Sequence, residues 1–162
     1  MNNLKFNLSE VAGSKIATQL KNKSGVYQWK NTINGKSYVG SSSDLRRRFL
    51  EYLNSKRLKR ELDRGESIIY KALLKYGYLS FEFYILDIVK LDPLLTDKQQ
   101  NDVLKSLEQK YIDEIKPDYN ILTFAGSNRG HILSFETRSK MSIAKKGLPS
   151  HRKGKVHSLE SR

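Results

Sequence analysis

Residues 25–40, GVYQWKNTINGKSYVG, set the tightest limit on what this chain can fold into. Val26, Tyr27 and Trp29 are strand formers, and Tyr38 and Val39 carry the chain back. Between them, Asn34 and Gly35 form a turn pair in which both residues tolerate positive φ. The segment predicts a β-hairpin. Tyr27 and Trp29 share one face by alternation, and Tyr38 belongs to the return strand, with the register left open.

Other elements follow from periodicity. A polar leader over residues 1–22 holds a short helix at about 9–20 that could dock on the body. After the hairpin, Ser43 or Asp44 can cap a helix running to about Asn54, with Leu45, Phe49, Tyr52 and Leu53 as its apolar stripe. The cluster KRLKR at 56–60 reads as basic residues leaving that helix. RELDRGE at 60–66, with Glu61, Asp63 and Glu66, reads as a solvated linker, not a metal site. A second helix spans about 67–76 and is stopped by Gly77. FEFYILDIV at 81–89 is a near-continuous apolar run suited to a central strand. A long helix at about 97–115 is capped by Thr96 or Asp97 and ended by Pro117, with Leu104, Leu107, Tyr111 and Ile115 facing the core. DYNILTF, 118–124, reads as a short strand or extended segment. The expected body is a mixed α/β (α+β) fold, a small antiparallel three-stranded sheet flanked by helices.

Charge and composition narrow the chemistry. The chain has 162 residues with 30 Lys and Arg against 17 Asp and Glu, a net charge of +13. That surplus is a footprint for a polyanionic partner. Residues 126–162 hold 9 of the basic residues and only 2 acidic ones. There is no cysteine, and the three histidines, His131, His151 and His157, all fall in this tail. Thiol chemistry, Cys-type zinc sites and, within the first 125 residues, a Ser-His-Asp triad are therefore excluded. Chemistry there must use Tyr, Lys, Arg or carboxylates. No apolar run approaches the roughly 20 residues that span a bilayer, and the start lacks a secretory apolar core. The tail also repeats itself: SFETR at 134–138 recurs as SLESR at 158–162, each following a histidine. Its second copy reads as truncated.

The ordered set Gly25, Val26, Tyr27, then Tyr38, Val39, Gly40, then Arg48, Glu108 in LEQKYI and Asn120 in DYNIL resembles the GIY-YIG nuclease family over about residues 23–125. The tail, 126–162, is similar to the nuclease-associated modular DNA-binding motifs behind such domains. Together they resemble intron-encoded homing endonucleases of the phage or fungal-mitochondrial type. The resemblance implies site-specific hydrolysis of DNA phosphodiesters. Glu108 would be the metal ligand for Mg²⁺, with Mn²⁺ as a substitute, and Arg48 would stabilise the phosphate. Tyr27 and Tyr38 would share water activation and orientation, with Tyr27 favoured as the base and Lys36 as a candidate cation beside it. Tyr52 would take the duty of a histidine that some relatives carry, Asn120 would support the site, and Gly25 and Gly40 would allow close approach of the backbone.

In the tail, Arg129, Arg138, Lys140, Lys145, Lys146, Arg152, Lys153 and Lys155 are the expected DNA contacts, along an extended path with short helices. Double-stranded DNA is the expected partner, with intron RNA as a second one, no membrane and a monomeric chain. The implied location is a fungal mitochondrion or a phage-infected bacterial cytoplasm, not the secretory route. Two rival functions share the pattern: a maturase-like RNA-binding protein, and a repair or recombination nuclease that reads DNA shape.

Overall fold

The computed structural model describes residues 4–90, 92, 94–121, 125 and 135–146, and for residues 135, 137, 138, 141 and 145 the backbone alone. The chain divides into two units, Met1–His131 and Ile132–Arg162. The first is built on a sheet of four antiparallel strands, β1 (Leu4–Asn7), β2 (Ser24–Asn31), β3 (Ser37–Ser42) and β4 (Phe81–Val89), in the order β1-β4-β2-β3. The second contains α6 (Phe135–Lys145).

The three-stranded expectation is corrected by β1. Four residues of the leader pair with β4, Leu4 opposite Ile85 and Phe6 opposite Phe83. LKFN is too short to show a period, so alternation could not announce it. Its pairing puts β4 at the centre, hydrogen-bonded on both edges. The hairpin of β2 and β3 forms about the Asn34–Gly35 turn, Gly35 with φ +71°, and its register places Tyr27 opposite Gly40 and Trp29 opposite Tyr38. Cross-strand partners share a face, so all three aromatic side chains lie on one side of the sheet.

Helices α1 (Gly13–Gln19), α2 (Leu45–Leu53), α3 (Ser55–Arg64) and α4 (Ile68–Tyr76) cover that side. Ile16, Leu20, Leu45, Phe49, Leu58 and Ile69 pack there with Tyr27, Trp29, Tyr52, Phe81, Phe83 and Ile85. The leader helix thus docks: Ile16 and Leu20 are wholly buried. The sequence missed α3, reading residues 56–66 as a basic exit and a linker. Asn54 ends α2 in an extended conformation, and its side chain accepts from Arg57 N, capping a new helix that buries only Leu58. A helix with one core residue has too little apolar period to be seen.

The long helix α5 (Asp97–Ile115) begins with a capping box between Thr96 and Gln99. It covers the other face, where Tyr111 and Ile112 meet Val26, Val39 and Leu86. A register shift between Val26 and Tyr27 leaves Leu86 without a partner opposite on β2, a bulge in the middle of the sheet. Among residues 118–121 there is no strand, so the strand alternative for this segment does not hold there; residues 122–124 lie outside the described part.

Candidate active site

The sheet order leaves β3 outermost, so side chains from both of its faces can reach the same edge. Tyr38 projects to the aromatic side and Ser41 to the α5 side. The outer edge itself is closed by the chain that follows α5. Tyr119 N donates to Ser37 O at 2.9 Å. The Asn120 side chain brackets Val39, accepting from its N–H at 2.9 Å and donating to its C=O at 2.9 Å. One amide side chain therefore does the work of a neighbouring strand and fixes the backbone on either side of Val39, next to Tyr38.

From the α2 side comes Arg48. Asp44 caps α2 by accepting from Arg47 N, and the helix carries Arg48 to the aromatic cluster. Its Nε donates to the Tyr27 hydroxyl at 3.2 Å, and its guanidinium lies 5.3 Å from the centre of the Tyr52 ring. The Tyr27 and Tyr52 hydroxyls are 3.0 Å apart. Of the three consecutive arginines, Arg48 is the half-buried one, while Arg47 is exposed. The cation on Tyr27 is therefore Arg48. Lys36 sits at the turn end of the hairpin, where Asn31 N donates to its carbonyl.

Glu108 comes from α5, and the Ser41 hydroxyl donates to its Oε2 at 2.5 Å. A cleft of about 500 Å³ brings these parts together, with Tyr38, Ser41, Arg48, Lys105, Glu108 and Asn120 among its lining. Tyr27 is 1% exposed and Tyr52 2%, and neither lines the cleft. The two thus stand behind Arg48 and Tyr38. Gly40 explains the tightness: a Cβ there would lie 2.7 Å from the Tyr27 hydroxyl and 2.9 Å from Tyr38 Cε1. At Gly25 a Cβ would meet Asp87 O at 2.0 Å, so the close approach is to the neighbouring strand's backbone.

Burial dominates the electrostatics. It raises the phenols of Tyr27, Tyr38 and Tyr52 above their ordinary value, and the Arg48 charge opposes this without overcoming it. All three are neutral at neutral pH. Burial also raises the Glu108 carboxyl, against the Ser41 hydrogen bond and the charges of Arg48 and Lys105.

The donors suit a hard cation. Among the described residues no group of three or more His, Cys, Asp or Glu converges on one point, so an all-protein cage is not what this cleft offers. Mg²⁺ keeps several waters and takes one or two carboxylates together with substrate phosphates. Glu108, the half-buried carboxylate of a cleft whose lining also includes the exposed Glu66, fits that mode, with cations placed to receive a phosphate.

Residues 23–120 match the GIY-YIG catalytic domain. The chain belongs to the GIY-YIG family. Residues 130–162 match the NUMOD3 motif. Over 99% of its length the chain is 32% identical to "Probable intron-encoded endonuclease 1" of Neurospora crassa, and over 74% it is 34% identical to "Intron-associated endonuclease 1" of Enterobacteria phage T4. It spans about half of each, 50% and 46%. A mutant of the catalytic domain of intron endonuclease I-TevI covers 62% of this chain and 95% of its own, at 30% identity and a TM-score of 0.48. In this GIY-YIG chain the two signature tripeptides read GVY and YVG, on the adjacent strands β2 and β3.

Of the residues singled out by sequence, Tyr38, Arg48, Glu108 and Asn120 meet at the cleft, with Tyr27 and Tyr52 directly behind. Sequence reasoning passed over Ser41 and Glu51. Glu51 bonds Arg48 and lies three residues after it, a spacing at which helical side chains meet, so this signal was available. In the tail, Lys140 pairs with Glu136 at 2.7 Å and Lys146 is exposed just past α6. Arg138 and Lys145 lie in α6, described by backbone alone. Arg129, Arg152, Lys153 and Lys155 lie outside the described residues.

Proposed function

We propose that this chain is a site-specific homing endonuclease that hydrolyses phosphodiester bonds of double-stranded DNA with Mg²⁺, or Mn²⁺ in its place. The observation that carries the reading is the convergence of Arg48, Tyr38 and Glu108 on one cleft, from α2, β3 and α5. Hydrolysis needs an oriented water, charge stabilisation at phosphorus and a path for the proton.

Glu108 is the residue that would hold the metal. A bound Mg²⁺ would neutralise phosphate charge and make a water more acidic. Arg48 directs its remaining N–H donors at the phosphate oxygens, a planar match that a lysine cannot copy. Tyr38, neutral and open to the cleft, orients the water and accepts its proton while handing its own to a non-bridging oxygen of the substrate phosphate, from which it can reach the leaving oxygen. That assigns Tyr38 the direct contact and gives Tyr27 the task of holding Arg48. A neutral phenol suits relay better than a resident phenolate, since burial disfavours the charged form. Tyr52 completes the hydroxyl pair behind. The basic tail supplies phosphate contacts that keep the domain on its site. The chain works as a monomer, in a fungal mitochondrion or in a phage-infected bacterium.

The test is nicking of supercoiled plasmid by the full chain with Mg²⁺, with Mn²⁺ and with EDTA, followed by mapping of cut ends. Metal-dependent cuts that cluster at defined sequences support the proposal. A folded, DNA-binding chain that never nicks sends the reading to an RNA-binding maturase. Cuts that follow DNA branches and ignore sequence send it to a repair nuclease.

A further inference from the structure

We infer that Glu51 is the positioning residue of the Arg48 site, holding the guanidinium in its working orientation through a carboxylate shared by three arginines. This rests on the nuclease reading for its consequence, though not for its geometry.

Glu51 lies on α2, and its side chain is 12% exposed. Its Oε1 accepts from Arg47 Nη1 at 2.6 Å and lies 3.3 Å from Arg57 Nη2 on α3. Its Oε2 is left to Arg48, accepting from Nη1 at 3.1 Å. Arg48 is thus pinned at two points. Its Nε is tied to the Tyr27 hydroxyl and its Nη1 to Glu51, while the plane of the group lies near the Tyr52 ring. Two bonds on different nitrogens restrict both the place and the tilt of the planar fork, and its other N–H groups can serve the cleft that Arg48 lines.

The arrangement is not a surface ion pair of the ordinary kind. Exposed pairs between long side chains gain little because ordering them costs entropy. Here one mostly buried carboxylate meets three cations, and two of them are already placed by helix geometry: Arg47 at i−4 and Arg48 at i−3. The third, Arg57, enters from the helix that Asn54 caps. The cations outnumber the carboxylate, so the cluster keeps a net positive charge beside the cleft. A polyanion approaching Arg48 therefore meets a cluster of net positive charge.

Two roles are open to such a cluster, and they separate by experiment. A purely structural Glu51 would tie α2 to α3, and its loss would lower stability while leaving each surviving molecule active. A positioning Glu51 acts through Arg48. Removing its charge with Glu51→Gln then lets Arg48 leave the Tyr27 hydroxyl, and misplacement of a charge-stabilising group by about 1 Å costs on the order of 100-fold in rate.

The experiment combines a double-mutant cycle with a direct view of the arginine. Single-turnover nicking is measured for wild type, Glu51→Gln, Arg48→Lys and the double variant, at a temperature where melting curves show all four folded. The expected result is a 10- to 100-fold fall in the cleavage rate for Glu51→Gln, with DNA affinity within about twofold, and no further fall when Glu51→Gln is added to Arg48→Lys. Equal and multiplicative losses in both backgrounds would overturn the proposal. The second readout is the ¹⁵Nε–H NMR resonance of Arg48, assigned by its loss in Arg48→Lys. It should be sharp and slow to exchange with solvent in wild type and broadened or fast-exchanging in Glu51→Gln. An unchanged resonance overturns the proposal. If the wild-type chain cuts nothing, the nuclease reading fails, and the resonance still decides whether Glu51 holds Arg48.

Discussion

A single methyl group at Gly40 should disable the cleft by moving Tyr27 and Tyr38. The Cβ of Gly40→Ala would lie 2.7 Å from the Tyr27 hydroxyl oxygen and 2.9 Å from both Tyr27 Cζ and Tyr38 Cε1. Normal contact requires the ring to withdraw by about 0.7 Å or more. Tyr27 has nowhere to go: it is 1% exposed, with the Phe83 ring 5.5 Å away and the Tyr52 ring 6.0 Å away, centre to centre. Overpacking of this sort costs about 1–3 kcal/mol, which for a domain of this size lowers Tm by roughly 4–15 °C. The same withdrawal stretches the 3.0 Å bond to Tyr52 and the 3.2 Å bond from Arg48 beyond useful length. Cleavage should therefore fall by about 100-fold even at temperatures where the variant is folded. Circular-dichroism melting and plasmid nicking at 20 °C measure the two effects. Gly65→Ala is the control, because a Cβ there meets nothing within 4 Å and its backbone is extended. A Gly40→Ala protein with wild-type Tm and cleavage within twofold would refute the reasoning.

Asn120→Ala strips both partners from the buried Val39 backbone and should cost about 2–4 kcal/mol by urea unfolding; the Val39 amide should lose hydrogen-exchange protection before the rest of the sheet. Burial raises the Glu108 carboxyl, so the folded state binds its proton more tightly than the unfolded state, and this group adds stability as pH falls through its folded value. Glu108→Gln should accordingly melt higher than wild type at pH 7–8, and the difference should shrink on acidification; a lower melting temperature at pH 8 contradicts the assignment. If seven tail cations each neutralise a phosphate, the slope of log affinity against log salt is about −6, and a chain ending at residue 125 should show a much shallower one in fluorescence anisotropy.

The hairpin, the strand at 81–89 and the helix at 97–115 were legible because their signals are local: a turn pair, an apolar run of β-formers and a cap residue with a proline stop. The site was legible as a set of residue types in a family order, and Tyr38, Arg48, Glu108 and Asn120 of that set line one cleft. What sequence could not supply was relation between elements. β1 exists because β4 offers it an edge, and α3 because Asn54 caps a helix with only Leu58 to bury. Tyr27 and Tyr38 look equivalent in the motif, yet hairpin register and helix packing put one behind and one on the cleft. Ser41 carries no pattern of its own; it matters because β3 is the outer strand and α5 crosses it, bringing Glu108 within 2.5 Å.

Glu108 is the residue on which the account turns, and its removal is the most direct measurement. Full-length wild type and Glu108→Ala are compared for nicking of supercoiled plasmid in Mg²⁺, with folding checked by melting and DNA affinity by anisotropy. The account predicts that Glu108→Ala stays folded, binds DNA within about twofold of wild type and loses cleavage by at least 1,000-fold, on the order of a lost transition-state contact. Cleavage by Glu108→Ala at a rate near wild type, still dependent on Mg²⁺, would place the metal and the chemistry elsewhere in the chain.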